Sequence, residues 1–313
     1  MDGRLQLFAG NAHRALAEAI CAELETTLGR ATVGVWKNGE TRVKLEENVR
    51  GSEVFVIQPT SDPVNHNVME LLIMIDALKR ASAARITAVI PYYGYAKQEK
   101  KTTGREPISA KLVANLLTTA GAERVLAVDL HSPAIEGFFD IPVDHLRATP
   151  LLAEHFRKVT DDEIVVVSPD AGGVARAQDF RIRTKGSLAI IAKQHPRPDA
   201  TETLDMVGDV AGKTAVIVDD MISTGGTLAM AAQMLLDRGA SKIFVAATHG
   251  IFAADALEII AASPIEKVFV TDTIPLPDGG HSHEKIEVVS VAPLLAEAIM
   301  RIHKGLSVSA IFT

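Results

Sequence analysis

Short apolar runs rich in Val and Ile alternate with helical patterns along the chain. In its first half the apolar runs cover residues 32–36, 53–57, 85–90 and 124–130. Two segments between them repeat apolar residues at intervals of three and four positions, which predicts helices with one buried face. These faces carry Val68, Leu71, Leu72, Ile75 and Leu78, and then Leu112, Val113, Leu116 and Leu117. Asn65 is a possible cap of the first helix, and Pro107 and Gly121 mark the ends of the second.

The same alternation continues through the second half. Apolar runs cover residues 163–167, 187–191, 213–218, 242–247, 267–270 and 286–291. Helical patterns cover residues 173–183, 227–238, 253–262 and 293–303. Strands that are apolar throughout and separated by helices are typical of a mostly parallel sheet covered on both faces. The pattern therefore predicts an α/β fold.

A faint internal repeat divides the chain in two. Residues 85–95 read R-I-T-A-V-I-P-Y-Y-G-Y, and residues 163–173 read E-I-V-V-V-S-P-D-A-G-G. A second match relates residues 121–131 to residues 239–249, each opening with Gly-Ala and ending at a histidine. A length of 313 residues agrees with about two domains. We therefore expect two related α/β halves, joined near residues 145–150.

Composition and charge narrow the function classes. With 47% hydrophobic and 23% charged residues, the chain is not a disordered, collagen-like or disulfide-scaffold sequence. A net charge of −7 is unusual for proteins that bind nucleic acid or anionic membranes, so neither partner is expected. The single cysteine, Cys21, allows no intrachain disulfide. With no apparent signal peptide or membrane span, these features favour a cytoplasmic protein.

The segment 215–227, A-V-I-V-D-D-M-I-S-T-G-G-T, carries the clearest chemistry. An apolar strand ends in two carboxylates, a loop of small and hydroxyl-bearing residues follows, and a helix begins near Thr227. Gly225 and Gly226 allow the backbone to turn closely around a ligand. Backbone N–H groups and hydroxyls can then bind a phosphate at the helix N-terminus, beside carboxylates that suit ribose hydroxyls. An ordinary strand-to-helix turn is the alternative.

This segment resembles the phosphoribosyl-diphosphate loop of type I phosphoribosyltransferases. Further segments, in order along almost the whole chain, resemble the ribose-phosphate diphosphokinase (PRPP synthetase) family. They are N-G-E (38–40), S-D-P-V-N (61–65), M-E-L-L-I-M-I-D-A-L-K-R-A-S-A (69–83), I-P-Y-Y-G-Y-A-K-Q (90–98), R-E-P-I-S-A-K (105–111), D-L-H (129–131), G-F-F-D-I-P-V-D-H-L (137–146), V-S-P-D-A-G-G-V-A-R-A (167–177) and L-L-A-E-A-I (294–299).

The resemblance implies a fold and a reaction. The fold is two similar type I phosphoribosyltransferase-like domains, each a mostly parallel sheet flanked by helices. Residues 1–147 form the first, with segment 293–313 packing back on it, and residues 148–292 form the second. The family transfers the diphosphoryl group of ATP to the anomeric hydroxyl of ribose 5-phosphate, giving 5-phosphoribosyl 1-diphosphate and AMP. It also implies Mg²⁺ as cofactor and a homo-oligomer, a hexamer built from dimers.

Two groups of site residues follow from the resemblance. A turn that reads adenine and a later contact to ATP match Trp36, Asn38, Gly39, Glu40, Lys97 and Gln98. The ribose 5-phosphate site matches Asp219, Asp220, Ser223, Thr224, Gly225, Gly226 and Thr227, where the aspartates hold the ribose hydroxyls or their magnesium. Trp36 stands where the family usually has Phe, and Ser223 where most relatives have Asp. The alternatives are a half-buried strand aromatic for Trp36 and a solvated loop for Lys97.

The metal and catalytic residues complete the expected site. His131 and Asp170 match residues of the magnesium–ATP site; the alternatives are a loop or cap histidine and an Asx-turn. Residues 192–200, A-K-Q-H-P-R-P-D-A, show no strand or helix period and resemble the family's catalytic loop. Lys193 matches its lysine, and His195 stands at the position of its arginine. Either a protonated His195 or Arg197 is a candidate for the missing cation, and a plain surface loop is the alternative.

Two other functions compete with the enzyme. A non-catalytic regulatory subunit would retain the fold and bind nucleotide without turnover, and His195 and Ser223 favour it. A phosphoribosyltransferase that uses phosphoribosyl diphosphate as substrate would account for the loop at 215–227. It would not account for the match along the whole chain.

Overall fold

The computed structural model describes residues 3–194, 203–277 and 283–312. Its strands are β1 Leu5–Ala9, β2 Ala31–Val35, β3 Thr41–Leu45, β4 Glu53–Ile57, β5 Arg85–Ile90, β6 Arg124–Val128, β7 Val143–Leu146, β8 Ile164–Ser168, β9 Ser187–Gln194, β10 Thr203–Val207, β11 Thr214–Ile222, β12 Lys242–Gly250, β13 Lys267–Thr271 and β14 Ile286–Val289. Its α-helices are α1 Arg14–Glu23, α2 Val64–Arg80, α3 Ser109–Ala120, α4 Thr149–Val159, α5 Val174–Thr184, α6 Gly226–Asp237, α7 Ala256–Ala262 and α8 Ala292–His303.

The chain forms two compact units. One comprises Met1–Arg147 together with Val291–Thr313, and the other comprises Ala148–Ser290. In the first unit five parallel strands form a sheet in the order β1-β4-β5-β6-β7. A separate antiparallel hairpin, β2-β3, contacts α2, and α8 packs against α1.

The helices of the first unit test the predicted buried faces. In α2 the face that carries Val68, Leu71, Ile75 and Leu78 is buried, which confirms that part of the prediction. The helix begins at Val64 after Pro63, so the predicted cap at Asn65 is wrong because this residue lies within the first turn.

The predicted face of α3 is partly wrong. Leu112 and Leu116 remain 57% and 40% exposed, whereas Val113 and Leu117 are buried. The two further buried positions are filled by Ala110 and Ala114, whose small side chains allow α3 to pack closely against its neighbours, α2 and the 3₁₀ segment Pro133–Phe138. The prediction from hydrophobicity placed the large leucines on the buried face, whereas close packing places the small alanines there.

In the second unit seven strands form the order β10-β9-β8-β11-β12-β13-β14. All neighbouring pairs are parallel except the edge strand β10, which runs antiparallel to β9. The chain passes from β8 to β9 on one side and later returns to β11 on the other side of β8. In open α/β sheets such a reversal leaves a crevice at the carboxyl ends of the two strands, where ligands bind. The loops that follow β8 and β11 are therefore the candidate site.

Candidate active site

The two carboxylates of the 215–227 segment lie within a strand, not after it. The sequence predicted a strand over 213–218, but β11 continues to Ile222 and pairs with β12 at Asp219↔Ala247 and Ile222↔Gly250. The Asp219 side chain is half-buried and Asp220 is only 4% exposed. The longer ladder therefore holds both aspartates on a fixed backbone at the crevice.

A cation from the neighbouring helix faces this pair. The Nη1 atom of Arg176, on α5, lies 3.3 Å from Asp219 Oδ1 and 3.7 Å from Asp220 Oδ1. Burial, followed by the proximity of Asp220, raises the pKa of Asp219 to about 7 against the opposing effect of Arg176. The pair therefore carries less than two full negative charges near neutral pH and is suited to a cation.

Arg176 is a residue that the sequence reasoning missed as a site residue. It lies inside the motif at 167–177, six positions after Asp170. An arginine in the first turn of a helix that follows a central strand was the available signal.

The loop after β11 turns through Gly225 into α6. Gly225 has a φ of +76°, and a Cβ atom placed there would lie 3.2 Å from the carbonyl oxygen of Ala256. The carbonyl oxygen of Ser223 accepts a 3.0 Å hydrogen bond from the Ala253 N–H, which fixes the start of the loop. Thr224 and Thr227 are exposed, and Ser223 is half-buried. The loop therefore presents its hydroxyl-bearing residues from a defined backbone.

The N-terminus of α6 has no side-chain cap among the residues that the structure describes. The first N–H groups of a helix have no partner within the helix and carry partial positive charge. At Gly226 a Cβ atom would face open space, so the approach to these amides is clear. This arrangement can bind a phosphate group, as the sequence suggested.

Asp170 follows β8 at the same edge of the sheet. It is exposed, and its Oδ1 accepts a 2.8 Å hydrogen bond from the Gly173 N–H at the start of α5. The Ser168 hydroxyl donates to the carbonyl oxygen of Asp170 at 2.7 Å. Because β8 and β11 are paired in parallel at Val167↔Ile217, the loop with Asp170 and the end of β11 lie at neighbouring strand ends. The second unit thus brings Asp170 and the aspartate pair to one edge.

His131 belongs to the other unit. The predicted strand over 124–130 is shorter in the structure, where β6 ends at Val128. Asp129 follows with a φ of +39°, an uncommon backbone conformation for a residue with a side chain, and His131 is half-buried two positions later. His131 therefore lies in the loop that follows β6, not at the end of a strand.

The expected ATP-binding turn is the tip of the β2-β3 hairpin. Trp36 donates its backbone N–H to the carbonyl oxygen of Glu40 at 2.7 Å, and Gly39 donates its N–H to the carbonyl oxygen of Trp36 at 2.8 Å. Gly39 has a φ of +91°, and the Glu40 N–H donates to Asn38 Oδ1 at 3.3 Å. These bonds hold the four predicted residues of this segment in one tight turn.

The ring of Trp36 projects from this turn. It is 52% exposed and follows the end of β2, so it is not a half-buried strand aromatic. The guanidinium carbon of Arg42 lies 4.6 Å from the ring centroid, a cation–π contact that the sequence analysis did not anticipate. The arginine packs across the hairpin and orients the ring.

Lys97 and Gln98 occupy the loop before α3, and both are exposed. The Gln98 Oε1 atom accepts a 2.6 Å hydrogen bond from the Ser109 hydroxyl, and its carbonyl oxygen accepts one from the Ala110 N–H at 3.3 Å. The loop is therefore tied to the first turn of α3.

The predicted catalytic loop is partly strand. Residues 192–200 were expected to have no strand, but β9 continues through Gln194 and pairs Lys193 with Leu204 of β10. That expectation is wrong for residues 192–194, because the antiparallel partner β10 extends the edge of the sheet. His195 and Arg197 lie outside the described residues.

Within residues 3–194, 203–277 and 283–312, no group of three or more His, Cys, Asp or Glu side chains forms a ready metal cage. In the same part of the chain, no helix is both long enough and apolar enough to cross a bilayer. A metal ion bound at the aspartate pair would need further oxygen ligands from a substrate or from water.

Comparisons with known proteins cover nearly the whole chain. The sequence profile for the N-terminal domain of ribose phosphate pyrophosphokinase matches residues 5–121, and that for the phosphoribosyl synthetase-associated domain matches residues 189–313. The chain is 54% identical to the ribose-phosphate pyrophosphokinase of Caldanaerobacter subterraneus subsp. tengcongensis over 99% of this chain and 98% of that relative. It is 51% identical to the ribose-phosphate pyrophosphokinase of Listeria ivanovii over the same shares. The chain belongs to the ribose-phosphate pyrophosphokinase family.

A solved structure of the family agrees with the fold. Phosphoribosylpyrophosphate synthetase from Mycobacterium smegmatis matches with a TM-score of 0.91 and 45% sequence identity, over 96% of this chain and 99% of that chain. The predicted family, α/β fold class and enzymatic function are therefore confirmed. Ribose-phosphate pyrophosphokinases act on ATP and ribose 5-phosphate and, as kinase-like enzymes, need metal ions. The matches along the full chain favour this enzyme over a phosphoribosyltransferase.

Proposed function

We propose that this chain transfers the β,γ-diphosphoryl group of ATP to the anomeric hydroxyl of ribose 5-phosphate, giving 5-phosphoribosyl 1-diphosphate and AMP. The observation that carries the proposal is the arrangement at the end of β11 in a chain of this family. A fixed pair of carboxylates lies near the end of the strand, and the loop after it leads to the N-terminus of α6, which has no side-chain cap among the described residues, at the reversal point of the sheet. One part suits ribose hydroxyls and the other suits a phosphate.

Ribose 5-phosphate occupies this loop in the proposal. Asp219 and Asp220 accept hydrogen bonds from the ribose hydroxyls or hold the magnesium that contacts them. The oxygen atoms of the 5-phosphate accept hydrogen bonds from the first N–H groups of α6 and from the hydroxyl groups of the loop. The residues assigned to the phosphate are Ser223, Thr224, Gly225, Gly226 and Thr227.

Magnesium is the proposed metal ion. Mg²⁺ prefers oxygen ligands and typically takes one or two carboxylates from the protein while substrate phosphates and water complete its shell. That preference fits an aspartate pair without a third protein ligand beside it in the described residues. His131 and Asp170 serve the magnesium–ATP site. When bound, the metal ion neutralises charge on the phosphoryl oxygens.

ATP is assigned to the first unit. The turn at the tip of the β2-β3 hairpin, with Asn38, Gly39 and Glu40, reads the adenine edge, and the exposed ring of Trp36 supplies a stacking surface. Lys97 and Gln98 contact the nucleotide from the loop before α3. Lys97 provides a point charge, not the bidentate fork of an arginine.

Lys193 is the proposed catalytic cation. The displacement at phosphorus requires in-line positioning and stabilisation of the charge on the transferring group. Lys193 lies at the end of β9, next in the sheet to β8, whose loop carries Asp170. His195 or Arg197 supplies a second cation.

The domain organisation, oligomeric state, location and partners are also part of the proposal. The two compact units act as the two domains, and the enzyme is a cytoplasmic homo-oligomer, a hexamer built from dimers. Nucleic acid and membranes are not partners. The net charge of −7 is in line with this assignment.

Formation of AMP from ATP and ribose 5-phosphate tests the proposal. The wild-type chain should produce AMP only when the sugar phosphate is present, and Lys193→Ala should lower the rate by about 100–1,000-fold, the usual cost of removing one preorganised group from a transition state. Lys158→Ala is the matched control, since the ion pair of Lys158 among the described residues is an exposed one with Glu154.

Other outcomes assign the alternatives. Nucleotide binding without ribose-dependent AMP would support a regulatory subunit. Release of pyrophosphate from phosphoribosyl diphosphate that depends on an added purine or pyrimidine base would support a phosphoribosyltransferase. Either result would overturn the proposed reaction.

A further inference from the structure

The backbone just before His131 is held in an uncommon conformation by β7. Asp129 has a φ of +39°, and such a conformation in a residue with a side chain persists only where the surroundings determine it. The Asp129 N–H donates to the carbonyl oxygen of Leu146 at 2.9 Å. The next N–H, that of Leu130, donates to the Nε2 atom of His145 at 2.8 Å. One of the two bonds is therefore made by a side chain.

That side chain is a buried imidazole with both nitrogen atoms engaged. The His145 side chain is only 3% exposed. Because Nε2 accepts a hydrogen bond from a backbone N–H, the proton of the neutral ring lies on Nδ1. Nδ1 then donates to Glu136 Oε1 at 2.6 Å. The two contacts fix the tautomer and the orientation of the ring.

The partners of the ring lie on both sides of His131 along the chain. Leu130 precedes it directly, and Glu136 follows in the short 3₁₀ segment Pro133–Phe138. The imidazole of His145 thus anchors the segment that carries His131 at both ends. In metal sites, groups behind the ligating side chains fix their orientation, and losing such a group typically lowers metal affinity by about 10–100-fold.

The burial of His145 favours a neutral ring. Burial, followed by the positive charge of Arg147, lowers its pKa, while Glu136 and Asp129 act in the opposite direction. A neutral ring keeps Nε2 available as the acceptor for the Leu130 N–H.

We propose that His145 and Glu136 are positioning residues for the diphosphoryl transfer, and that they hold His131 in place for the metal-bound nucleotide. The inference rests on the proposed role of His131 and deepens it. Neither residue touches the substrate. Their effect passes through the backbone of the 129–136 segment.

Equilibrium binding of magnesium with a non-cleavable ATP analogue, measured by calorimetry without ribose 5-phosphate, tests the inference apart from turnover. His145→Phe removes both hydrogen bonds and should weaken this binding by about 10–100-fold, the usual effect of losing such a partner. Glu136→Ala should weaken it in the same direction. Glu136→Gln should restore it, because the amide oxygen still accepts the Nδ1–H. Affinity for ribose 5-phosphate should not change in any of these variants.

A matched histidine–carboxylate pair in the other unit gives the control. His155 Nε2 lies 2.5 Å from Glu287 Oε1, and the ring packs edge-on against Phe269. His155→Phe should change the melting temperature and leave nucleotide affinity at the wild-type value. If His145→Phe and Glu136→Ala also changed only the melting temperature, the pair would be structural and the inference would be wrong.

The double variant separates this inference from the role of His131. If His145 acts through His131, His131→Ala combined with His145→Phe should bind the nucleotide no more weakly than His131→Ala alone. Additive losses would overturn the inference.

The single variants distinguish the inference from the role of His131. Weak binding by His131→Ala, together with normal binding by both His145→Phe and Glu136→Ala, would overturn the inference alone. Normal binding by His131→Ala would overturn the proposed role of His131, and the inference with it. If His145→Phe did not fold, the Glu136→Ala and Glu136→Gln pair would decide.

Discussion

The Nη1 atom of Arg176 lies 3.3 Å from Oδ1 of Asp219. The helix that follows one strand of the reversal point therefore supplies the counter-charge for a carboxylate on the neighbouring strand. The contact involves one nitrogen of the guanidinium and both aspartates, so it compensates the pair without neutralising it. The negative charge that remains is what the proposed binding of a sugar or a metal ion requires.

Arg176→Met should shift the pH dependence of the reaction. An opposite charge at this distance favours the ionised carboxyl, so its loss should raise the pKa of Asp219 further, by about one unit. The acidic limb of kcat/KM for ribose 5-phosphate should move upward by the same amount, and the rate at pH 7 should fall by up to about tenfold. Arg183→Met is the control, because Arg183 is exposed on the same helix and its ion pair, among the described residues, is with Asp179. An unchanged profile in Arg176→Met would contradict the prediction.

Asp219→Asn should lower the activity and raise the melting temperature at alkaline pH. The pKa of Asp219 is raised from the ordinary 3.8 to about 7, so ionisation destabilises the folded state as the pH rises from about 4 through 7. The asparagine variant should therefore melt at a higher temperature than the wild type at pH 8 with a chelator present, and at a similar temperature near pH 4. Asp237→Asn, at an exposed position on α6, should show no such pH-dependent gain. Equal melting curves for the wild type and Asp219→Asn at pH 8 would contradict the raised pKa of Asp219.

Two adjacent glycines should respond differently to alanine. At Gly225 the φ of +76° and the nearby Ala256 carbonyl oxygen disfavour a side chain, so Gly225→Ala should lower the free energy of unfolding by about 1–2 kcal/mol. At Gly226 a Cβ meets no atom, so Gly226→Ala should keep the stability of the wild type but weaken ribose 5-phosphate binding by obstructing the phosphate. Thermal unfolding and sugar-phosphate titration separate the two effects. If Gly226→Ala bound ribose 5-phosphate with wild-type affinity, the phosphate would not bind at the start of α6.

Trp36 is the only tryptophan and should report nucleotide binding. Stacking of a base on an aromatic ring contributes about 1–3 kcal/mol, so Trp36→Ala should raise the KM for ATP by about 5–150-fold. Trp36→Phe should retain most of the affinity and lose the fluorescence change. Pyrophosphate, which has no base, should leave the emission of the wild type unaltered. A quench by pyrophosphate equal to that by ATP would contradict the stacking role.

The local pattern predicted the elements whose packing depends on hydrophobicity alone. Strand β4 and the buried face of α2 follow directly from apolar periodicity. The face of α3 did not, because Ala110 and Ala114 fit a close approach to neighbouring elements, which a hydrophobicity pattern does not encode. Strand β9 continues to Lys193 and beyond because β10 pairs with it, and that pairing is a long-range event.

The candidate site divides in the same way. The aspartate pair and the glycine loop are contiguous in sequence, so their proximity was predictable. Arg176 and His145 act through contacts across 43 and 15 positions of the chain, and a single sequence gives no measure of such distances. Arg42 is only six positions from Trp36, but the contact depends on the antiparallel pairing of β2 with β3.

Because the pKa of Asp219 is raised to about 7, the aspartate pair is partly protonated near neutral pH in the metal-free protein. Near pH 7 this carboxyl is protonated in a substantial fraction of the molecules, and a divalent ion that enters the pair would release those protons, so metal uptake and acidity would oppose each other at the same oxygen atoms. A calorimetric titration with magnesium should therefore give heats that depend on the ionisation enthalpy of the buffer. Mild acidification and a shortage of magnesium should thus have the same effect on this carboxylate, through competition for a single site.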